Sequence, residues 1–194
     1  MLYLISDTHF GHENVLKYES IRLNLLSPED KNKPIEEQIL LMNEALIKNW
    51  NDIVKDTDTI FCMGDFALGG LEKNNNIRNI SKRLNGEKIL IRGNHDVKDP
   101  SIYLESGWKE VKDYVLINDI LFCHYPIGSE ETTSTWGVEK EFREMYRNSL
   151  EYKFVIHGHS HSYNYDLKNH FNVSVENIEF KPISINQVLK YFNK

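Results

Sequence analysis

The chain has 194 residues, enough for one domain with a sizeable hydrophobic core, and we treat residues 1–194 as a single domain. Its formal net charge of -6 at pH 7 argues against a protein whose main task is to grip long nucleic acid, since that task favours a basic surface. No apolar run approaches the ~18 residues of a membrane helix, and the first residues lack the basic start of a signal peptide. We therefore expect a cytosolic protein without a membrane partner.

Five short apolar runs predict strands that are buried on both faces, because each is continuous and bounded by polar residues or glycine. These runs are Leu2 to Ser6, Thr59 to Met63, Lys88 to Arg92, Ile120 to Cys123 and Phe154 to Ile156. Two of them contain Cys62 and Cys123, which we predict to be buried free thiols. One or two further strands are predicted near the C-terminus from the apolar residues Val173, Val175, Ile178, Phe180 and Ile183.

Between these runs, apolar residues recur at the three-to-four spacing of amphipathic helices. The clearest helix begins near Pro34 and continues to Trp50. Weaker patterns predict helices over about Glu72 to Leu84, Val138 to Leu150 and Ile185 to Phe192. Strands that alternate with helices predict an α/β fold.

Each of the five apolar runs leads into a polar residue that can bind a metal ion. In chain order, these residues are Asp7 and His9, Asp65, Asn94, His124, and finally His159 and His161. Ligands of open α/β sheets bind outside the carboxyl ends of the strands. If the strands share a sheet, the polar residues converge on one spot.

The residue types in this set suit a pair of divalent transition-metal ions. Sites that mix histidine with carboxylate bind Mn, Fe, Co, Ni or Zn, whereas cages for Ca and Mg use oxygen alone. Each motif by itself has an ordinary explanation as a helix cap, a turn or a core histidine. Five such groups at buried strand ends are harder to explain without a ligand, since unpaired buried polar groups cost free energy.

The five motifs together resemble those of the calcineurin-like metallophosphoesterase superfamily, in the same order and over nearly the whole chain. They are Asp7-Thr-His9, Gly64-Asp65, Gly93-Asn-His-Asp96, His124 and Gly158-His-Ser-His161. The segments Asp7 to Asn14 and Asn49-Trp-Asn51 look like those of a compact subgroup of bacterial and phage phosphoesterases. The resemblance implies an α/β sandwich of two β-sheets flanked by helices, with a dinuclear metal site at one end.

The resemblance also implies a role for each motif residue. One metal ion would be held by Asp7, His9 and His161, the other by Asn94, His124 and His159, and Asp65 would bridge them. We expect manganese first, with Fe, Ni, Co or Zn as alternatives. A hydroxide shared by the two ions would attack phosphorus. His95 would not bind metal but would contact the phosphate or help the leaving oxygen depart.

One departure from the family concerns the residues after Asp65. The protein-phosphatase branch continues with Val-Asp-Arg-Gly, whereas this chain has Phe66-Ala-Leu-Gly69. The acid that pairs with the catalytic histidine in that branch is missing, and so is its phosphate-gripping arginine. A phosphoprotein phosphatase is therefore disfavoured, and the residue that orients His95 is left open.

Three functions remain in competition. The first is a phosphodiesterase acting on a small nucleotide or cyclic-nucleotide-type substrate, and the second is a nuclease on DNA or RNA. The third is a non-catalytic interaction module with the same fold. His12 is a candidate substrate contact, and Arg22, Arg78 and Arg83 are candidate phosphate contacts by charge alone. Residues 128–137, rich in Ser, Thr and Glu, form either a flap over the site or an ordinary solvated loop.

Overall fold

The computed structural model describes residues 1–68, 73–97, 99–127 and 151–192, and contains two β-sheets. The first sheet has the strand order β4-β3-β2-β1-β9 and the second has the order β5-β6-β7-β8. The strands of the first sheet are β1 (Leu2–Ile5), β2 (Thr59–Cys62), β3 (Glu87–Ile91), β4 (Glu110–Lys112) and β9 (Ile183–Ser184). Those of the second are β5 (Tyr114–Ile117), β6 (Ile120–Cys123), β7 (Phe154–His157) and β8 (His170–Asn172).

Helices accompany the strands along the chain. They are α1 (Val15–Tyr18), α2 (Ile35–Ile53), α3 (Lys73–Ser81), α4 (Ser101–Glu105) and α5 (Ile185–Phe192). Short 3-10 helices cover Ser20–Leu25, Asp30–Asn32 and Val175–Asn177. In the described part of the chain, none of the helices has the length and apolar character needed to cross a membrane.

The two faces of the first sheet bury different cores, which explains why its strands read as continuous apolar runs. In β1, Leu4 packs with Phe122 and Ile156 of the second sheet. Its neighbour Ile5 packs with helical residues such as Trp50. Because successive side chains of a strand point to opposite faces, a strand covered by a sheet on one side and by helices on the other has no polar face. The predicted sandwich of two sheets with flanking helices is confirmed.

The strands that carry the polar motifs run parallel within each sheet. In the first sheet β1 pairs with β2, and β2 pairs with β3, all in parallel. In the second sheet β6 pairs in parallel with β7. A parallel bridge between Ser6 and Ser174 joins the end of β1 to the chain that follows β8. The carboxyl ends of five strands in two sheets therefore lie at one end of the sandwich.

The five predicted strands and the helix that begins after Pro34 are confirmed, and both cysteines are buried and free. The strands predicted between Val173 and Ile183 are mostly wrong. Val175 lies in a 3-10 helix, and Glu179 and Phe180 have positive φ, which interrupts an extended segment. The sequence pattern does not predict strands β4, β5 and β8 or helices α1 and α4. The predicted helix Val138 to Leu150 and the possible flap at 128–137 lie outside the described residues.

Trp50 is fully buried in α2, and its indole N–H donates a hydrogen bond to the Asn85 carbonyl at 3.0 Å. We expect Trp50→Ala to lower the free energy of unfolding by about 3–5 kcal/mol, because the substitution leaves a large cavity. Urea unfolding followed by circular dichroism measures this change. Leu40→Ala on the exposed face of the same helix is the control and should change stability by less than about 0.5 kcal/mol. Equal effects of the two substitutions would contradict the packing described.

Candidate metal centre

The polar residues that follow the five predicted strands meet at one end of the sandwich. Asp7 and His9 follow β1, Asp65 follows β2, Asn94 follows β3, His124 follows β6, and His159 and His161 follow β7. Asp7, His9, Asp65 and His124 are buried, whereas Asn94 and the adjacent His95 are exposed. The site thus has a buried floor and an open side at the loop after β3.

The backbone at this site has an unusual conformation. Positive φ angles occur at Asp7 (57°), His9 (48°), Asp65 (53°), His159 (69°) and His161 (48°). Such angles are uncommon for residues other than glycine and persist where surrounding contacts enforce them, often at functional sites. Two such contacts are the hydrogen bonds from Asp7 N to Gly64 O and from His9 N to Asp65 O, both 3.0 Å long.

Asp7, His9 and His161 form one group of potential ligands. Their ligand atoms lie within 4.8 Å of one another, and each histidine Nε2 is 3.9 Å from Asp7 Oδ1. The other carboxylate oxygen, Asp7 Oδ2, accepts hydrogen bonds of 2.9 Å from His159 N and from Ser174 Oγ. One oxygen of Asp7 is thus held by the protein and the other faces the imidazoles.

Asp65, Asn94, His124 and His159 form a second group. The Asn94 side-chain oxygen is 3.1 Å from both His124 Nε2 and His159 Nδ1. Asp65 Oδ2 lies 3.4 Å from His124 Nε2 and 3.6 Å from His9 Nε2, so this oxygen faces both groups. Asp7, Asp65 and His124 also have ligand atoms within 4.8 Å of one another. The two groups are therefore adjacent, with the carboxylates between them.

Burial and the close charges set the protonation of these residues. Burial lowers the pKa of His9 to about 3. Burial also tends to lower the pKa of His124, but the carboxylates of Asp65 and Asp7 raise it to about 10. Burial would raise the pKa of Asp65, yet His124 and His9 hold it below its usual range. Opposite charges in close contact thus outweigh burial for both Asp65 and His124.

Several buried polar atoms in the site have no hydrogen-bond partner among the described residues. They are Asp7 Oδ1 and both ring nitrogens of His9. Leaving such groups unsatisfied is costly, and a metal ion is one partner that accepts both oxygen and nitrogen donors. The donor set therefore fits divalent cations.

The pattern of motifs and this geometry agree with a comparison of sequences. The profile of the calcineurin-like phosphoesterase superfamily domain matches residues 1–177. The chain belongs to this superfamily. Its metal-binding character and its general chemistry, metal-dependent hydrolysis of phosphoesters, are supported by the profile and by the grouped ligands.

Two related proteins and one solved structure match most of the chain. An uncharacterized protein of Methanocaldococcus jannaschii is 33% identical over 202 residues, covering 100% of this chain and 92% of that protein. The gene 66 protein of Mycobacterium phage L5 is 23% identical, over 82% of this chain and 77% of its own length. A crystal structure of a protein of unknown function from Aquifex aeolicus matches with a TM-score of 0.70 and 30% identity, over 98% of both chains.

The phosphoesterase motif Gly-Asn-His-Asp contains a residue whose structural role the sequence had not revealed. Asp96 is buried and accepts hydrogen bonds from the backbone N–H groups of Asp65 (2.8 Å), Phe66 (3.1 Å) and Gly93 (2.8 Å). It also accepts one from the Tyr103 hydroxyl at 2.9 Å. Asp96 thus ties together the two loops that carry Asp65 and Asn94. Its position next to His95 is the only signal in the sequence. In the described structure, its hydrogen bonds go to backbone N–H groups and to Tyr103, not to the His95 ring.

The two histidines predicted to contact substrate lie beside the phosphoesterase site. The His95 ring centroid is 5.5 Å from that of His9, and His95 N donates to Asp65 Oδ1 at 2.8 Å. The His12 ring is 5.3 Å from the His9 ring, and its buried Nδ1 has no partner among the described residues. Both rings therefore lie at the edge of the ligand cluster and not within it.

The structure places the other basic candidates differently. Arg22 is fully buried and bonded to Glu176, and Arg83 forms an ion pair with Glu44 at 2.5 Å. Arg22 is not available as a phosphate contact, because its guanidinium is enclosed in the protein. The Arg83 guanidinium is exposed, and its ion-pair partner is Glu44. Arg78 lines a cavity of about 220 Å³ together with Asn74 and Ser101. The histidines outside the motifs, His157 and His170, bond to the carbonyls of Gly158 and Ile127.

Gly158 passes so close to the ligand loop that a side chain does not fit. A Cβ at this position would lie 1.9 Å from Ser6 Oγ and 2.4 Å from Asp7 Oδ2. We expect Gly158→Ala to displace Asp7, to destabilise the fold by about 1–3 kcal/mol as overpacking does, and to weaken Mn²⁺ binding. Thermal unfolding and Mn²⁺ titration measure the two effects.

Gly107→Ala is the control for Gly158→Ala, because a Cβ there meets nothing within 4 Å although φ is +88°. That variant should lose stability through backbone strain but keep the metal affinity of the unaltered protein. Unchanged Mn²⁺ binding in a folded Gly158→Ala protein would contradict the proximity to Asp7.

Proposed function

We propose that this chain, residues 1–194 as one domain, is a dinuclear metal-dependent phosphodiesterase that acts on a small nucleotide or cyclic-nucleotide-type substrate. The observation that carries the proposal is the pair of adjacent ligand groups that share the buried carboxylate of Asp65. Asp65 Oδ2 faces His9 on one side and His124 on the other, which suits a carboxylate that bridges two cations.

The ligand assignment divides along these two groups. Asp7, His9 and His161 would hold one cation, and Asn94, His124 and His159 the other, with Asp65 between them. When bound, a pair of divalent cations supplies Lewis acidity, lowers the pKa of water and screens the charge of phosphoryl oxygens. Manganese suits the mixture of carboxylate, amide and imidazole donors, and Fe, Co, Ni and Zn are alternatives.

His95 is the proposed catalytic residue outside the ligand set. It is exposed, so a substrate seated over the buried ligands reaches it, and the bond from its backbone N–H to Asp65 Oδ1 fixes its loop against the site. In this position its ring can hold a proton for the departing ester oxygen. His12, on the other side of His9, is the proposed additional substrate contact.

The charge distribution favours a small substrate over long nucleic acid. The net charge is -6, and Arg22, Arg83 and Arg92 each pair with a carboxylate of the protein itself. Nucleic-acid-binding proteins instead keep such side chains available for successive phosphates. The two buried free cysteines suit a reducing compartment, and we propose the cytosol as the location.

The first test of the function is metal dependence combined with a substrate panel. We expect chelation to abolish hydrolysis of an aryl phosphodiester and added Mn²⁺ to restore it, because the buried ligands alone provide no nucleophile. A cyclic dinucleotide and a long single-stranded DNA are then assayed side by side with Mn²⁺, Ni²⁺, Zn²⁺ and Mg²⁺.

Each outcome of the panel separates the competing functions. Preferential hydrolysis of the cyclic dinucleotide supports the proposal, whereas faster digestion of the long strand supports a nuclease. Two bound metal ions without hydrolysis of any ester would favour a non-catalytic module. Full activity in metal-free protein would overturn the metal-dependent function itself.

The role of His95 is tested by the dependence of its effect on the leaving group. An aryl oxide is a good leaving group and departs with little protonation. A ribose or alkyl oxygen is a poor leaving group and must be protonated as the P–O bond breaks. General-acid assistance is worth ~10²–10⁴-fold. We therefore expect His95→Ala to lower kcat/KM for a nucleotide diester by about that factor and for an aryl ester far less.

The control for His95→Ala is His170→Ala, which removes an imidazole bonded to the Ile127 carbonyl. The control protein should keep both activities. Equal losses on the two substrates would reject the general-acid role and indicate that His95 grips the phosphoryl group. Metal content is measured in each variant, because a loss of metal from the His95→Ala protein would indicate a structural role.

A further inference from the structure

An ion pair between Arg22 and Glu176 is buried directly behind the ligand cluster. Both side chains are 0% exposed. Oε1 of Glu176 accepts a hydrogen bond from Arg22 Nε at 2.7 Å and lies 2.5 Å from Arg22 Nη2. The desolvation free energy of two buried charges is about as large as the energy of their attraction. A buried ion pair is therefore weak evidence of a purely stabilising role. Its contacts with the ligand cluster suggest another use.

The same carboxylate oxygen of Glu176 contacts the ring of His161. Glu176 Oε1 lies 3.1 Å from His161 Nδ1. Because a carboxylate only accepts hydrogen bonds, this contact places the proton on Nδ1 and leaves the lone pair on Nε2. The Nε2 atom is the one that faces Asp7, at 3.9 Å from Oδ1. The contact therefore selects the tautomer in which His161 can bind a cation beside Asp7.

Arg22 connects Glu176 to the backbone on the other side of the same group. Its guanidinium donates to the carbonyl of Asp7 at 2.5 Å and to that of Thr8 at 3.0 Å. These carbonyls belong to the segment in which Asp7 and His9 adopt positive φ. One buried guanidinium thus holds the loop of Asp7 and His9 and the carboxylate that orients His161.

The second ligand group is supported in a different way. His124 Nδ1 lies 2.8 Å from the Met63 carbonyl, so a backbone oxygen orients this ring. His159 is held by its backbone N–H, which donates to Asp7 Oδ2. Loss of Glu176 should therefore affect the group that contains His161 and leave the other group largely intact.

We propose that Glu176 is a positioning residue, anchored by Arg22, that orients His161 for metal binding in the group formed with Asp7 and His9. This inference rests on the proposed dinuclear function. A carboxylate that fixes the ring of a ligand histidine commonly changes metal affinity by 10- to 100-fold, roughly, when it is removed.

The test compares two double variants that both lack the buried ion pair. Arg22→Met/Glu176→Gln keeps an acceptor oxygen for His161 Nδ1, whereas Arg22→Met/Glu176→Leu has none. Each protein is stripped by chelation, checked for folding by circular dichroism and titrated calorimetrically with Mn²⁺. We expect one of two binding events to be weaker by ~10- to 100-fold in the leucine variant than in the glutamine variant.

The surface ion pair of the same residue types provides the matched control. Arg83→Met/Glu44→Leu removes an exposed pair joined at 2.5 Å and should leave both Mn²⁺ affinities unchanged. If the leucine variant does not fold, the single variants Glu176→Gln and Glu176→Asp, with Arg22 retained, are compared in place of the two double variants. Asp keeps the charge but is one methylene too short to reach His161, so it should weaken one site while Gln should not.

Equal Mn²⁺ affinities in the folded glutamine and leucine variants would overturn the positioning role of Glu176. Weakening of both sites together would overturn it as well, since the contact involves only His161. A wild-type chain that binds no divalent cation would instead overturn the proposed function, and this inference with it.

Discussion

The burial of two carboxylates, Asp7 and Asp65, is the constraint on which the rest of the site depends. An ionised carboxylate removed from water is costly unless hydrogen bonds or opposite charges replace its hydration. The protein replaces the hydration of one oxygen in each carboxylate. Asp7 Oδ2 accepts two hydrogen bonds, and Asp65 Oδ1 accepts one from His95 N. The remaining oxygen of each carboxylate faces imidazole rings across a shared space. Positive charge is therefore required there, as a proton or as a cation.

Apolar packing between the two sheets offsets the free-energy cost of burying these polar groups. Core residues of the first sheet, such as Leu4 and Phe61, pack against Phe122 and Ile156 of the second. That apolar contact aligns the ends of strands from both sheets, and the loops beyond them carry the polar side chains. The loops hold positive φ angles because backbone bonds between them, such as His9 N to Asp65 O, fix their path.

The sequence drew attention to the candidate site residues more readily than to some of the strands and helices around them. A strand buried on both faces reads as an unbroken apolar run, so a polar residue at its end, such as Asp65 or His124, is conspicuous. Apolar periodicity could not tell whether the strands share one sheet, and the structure divides them between two. The two-sheet expectation came from the family resemblance, which covers the motifs as a set.

The residues that support the site were not predictable from local pattern. Glu176 stands among apolar residues that suggested a strand, yet its segment turns as a 3-10 helix so that the carboxylate reaches His161. Its partner Arg22 is 154 positions away in the chain. Asp96 is adjacent to His95 but binds backbone groups of other loops. Such roles depend on contacts between distant segments, which neither spacing nor composition encodes.

These features link metal binding to the stability of the fold. Positive φ angles cost free energy. So do the two ring nitrogens of His9 and Asp7 Oδ1, which have no hydrogen-bond partner in the described part of the chain. A cation that binds only the folded chain adds stability by RT ln(1 + [L]/Kd), about 2.7 kcal/mol at a hundredfold excess over Kd. A bound cation would therefore offset part of this cost. In such a site, buried contacts within the protein impose the geometry of the ligand residues. Part of the free energy that stabilises this geometry comes from the bound cation.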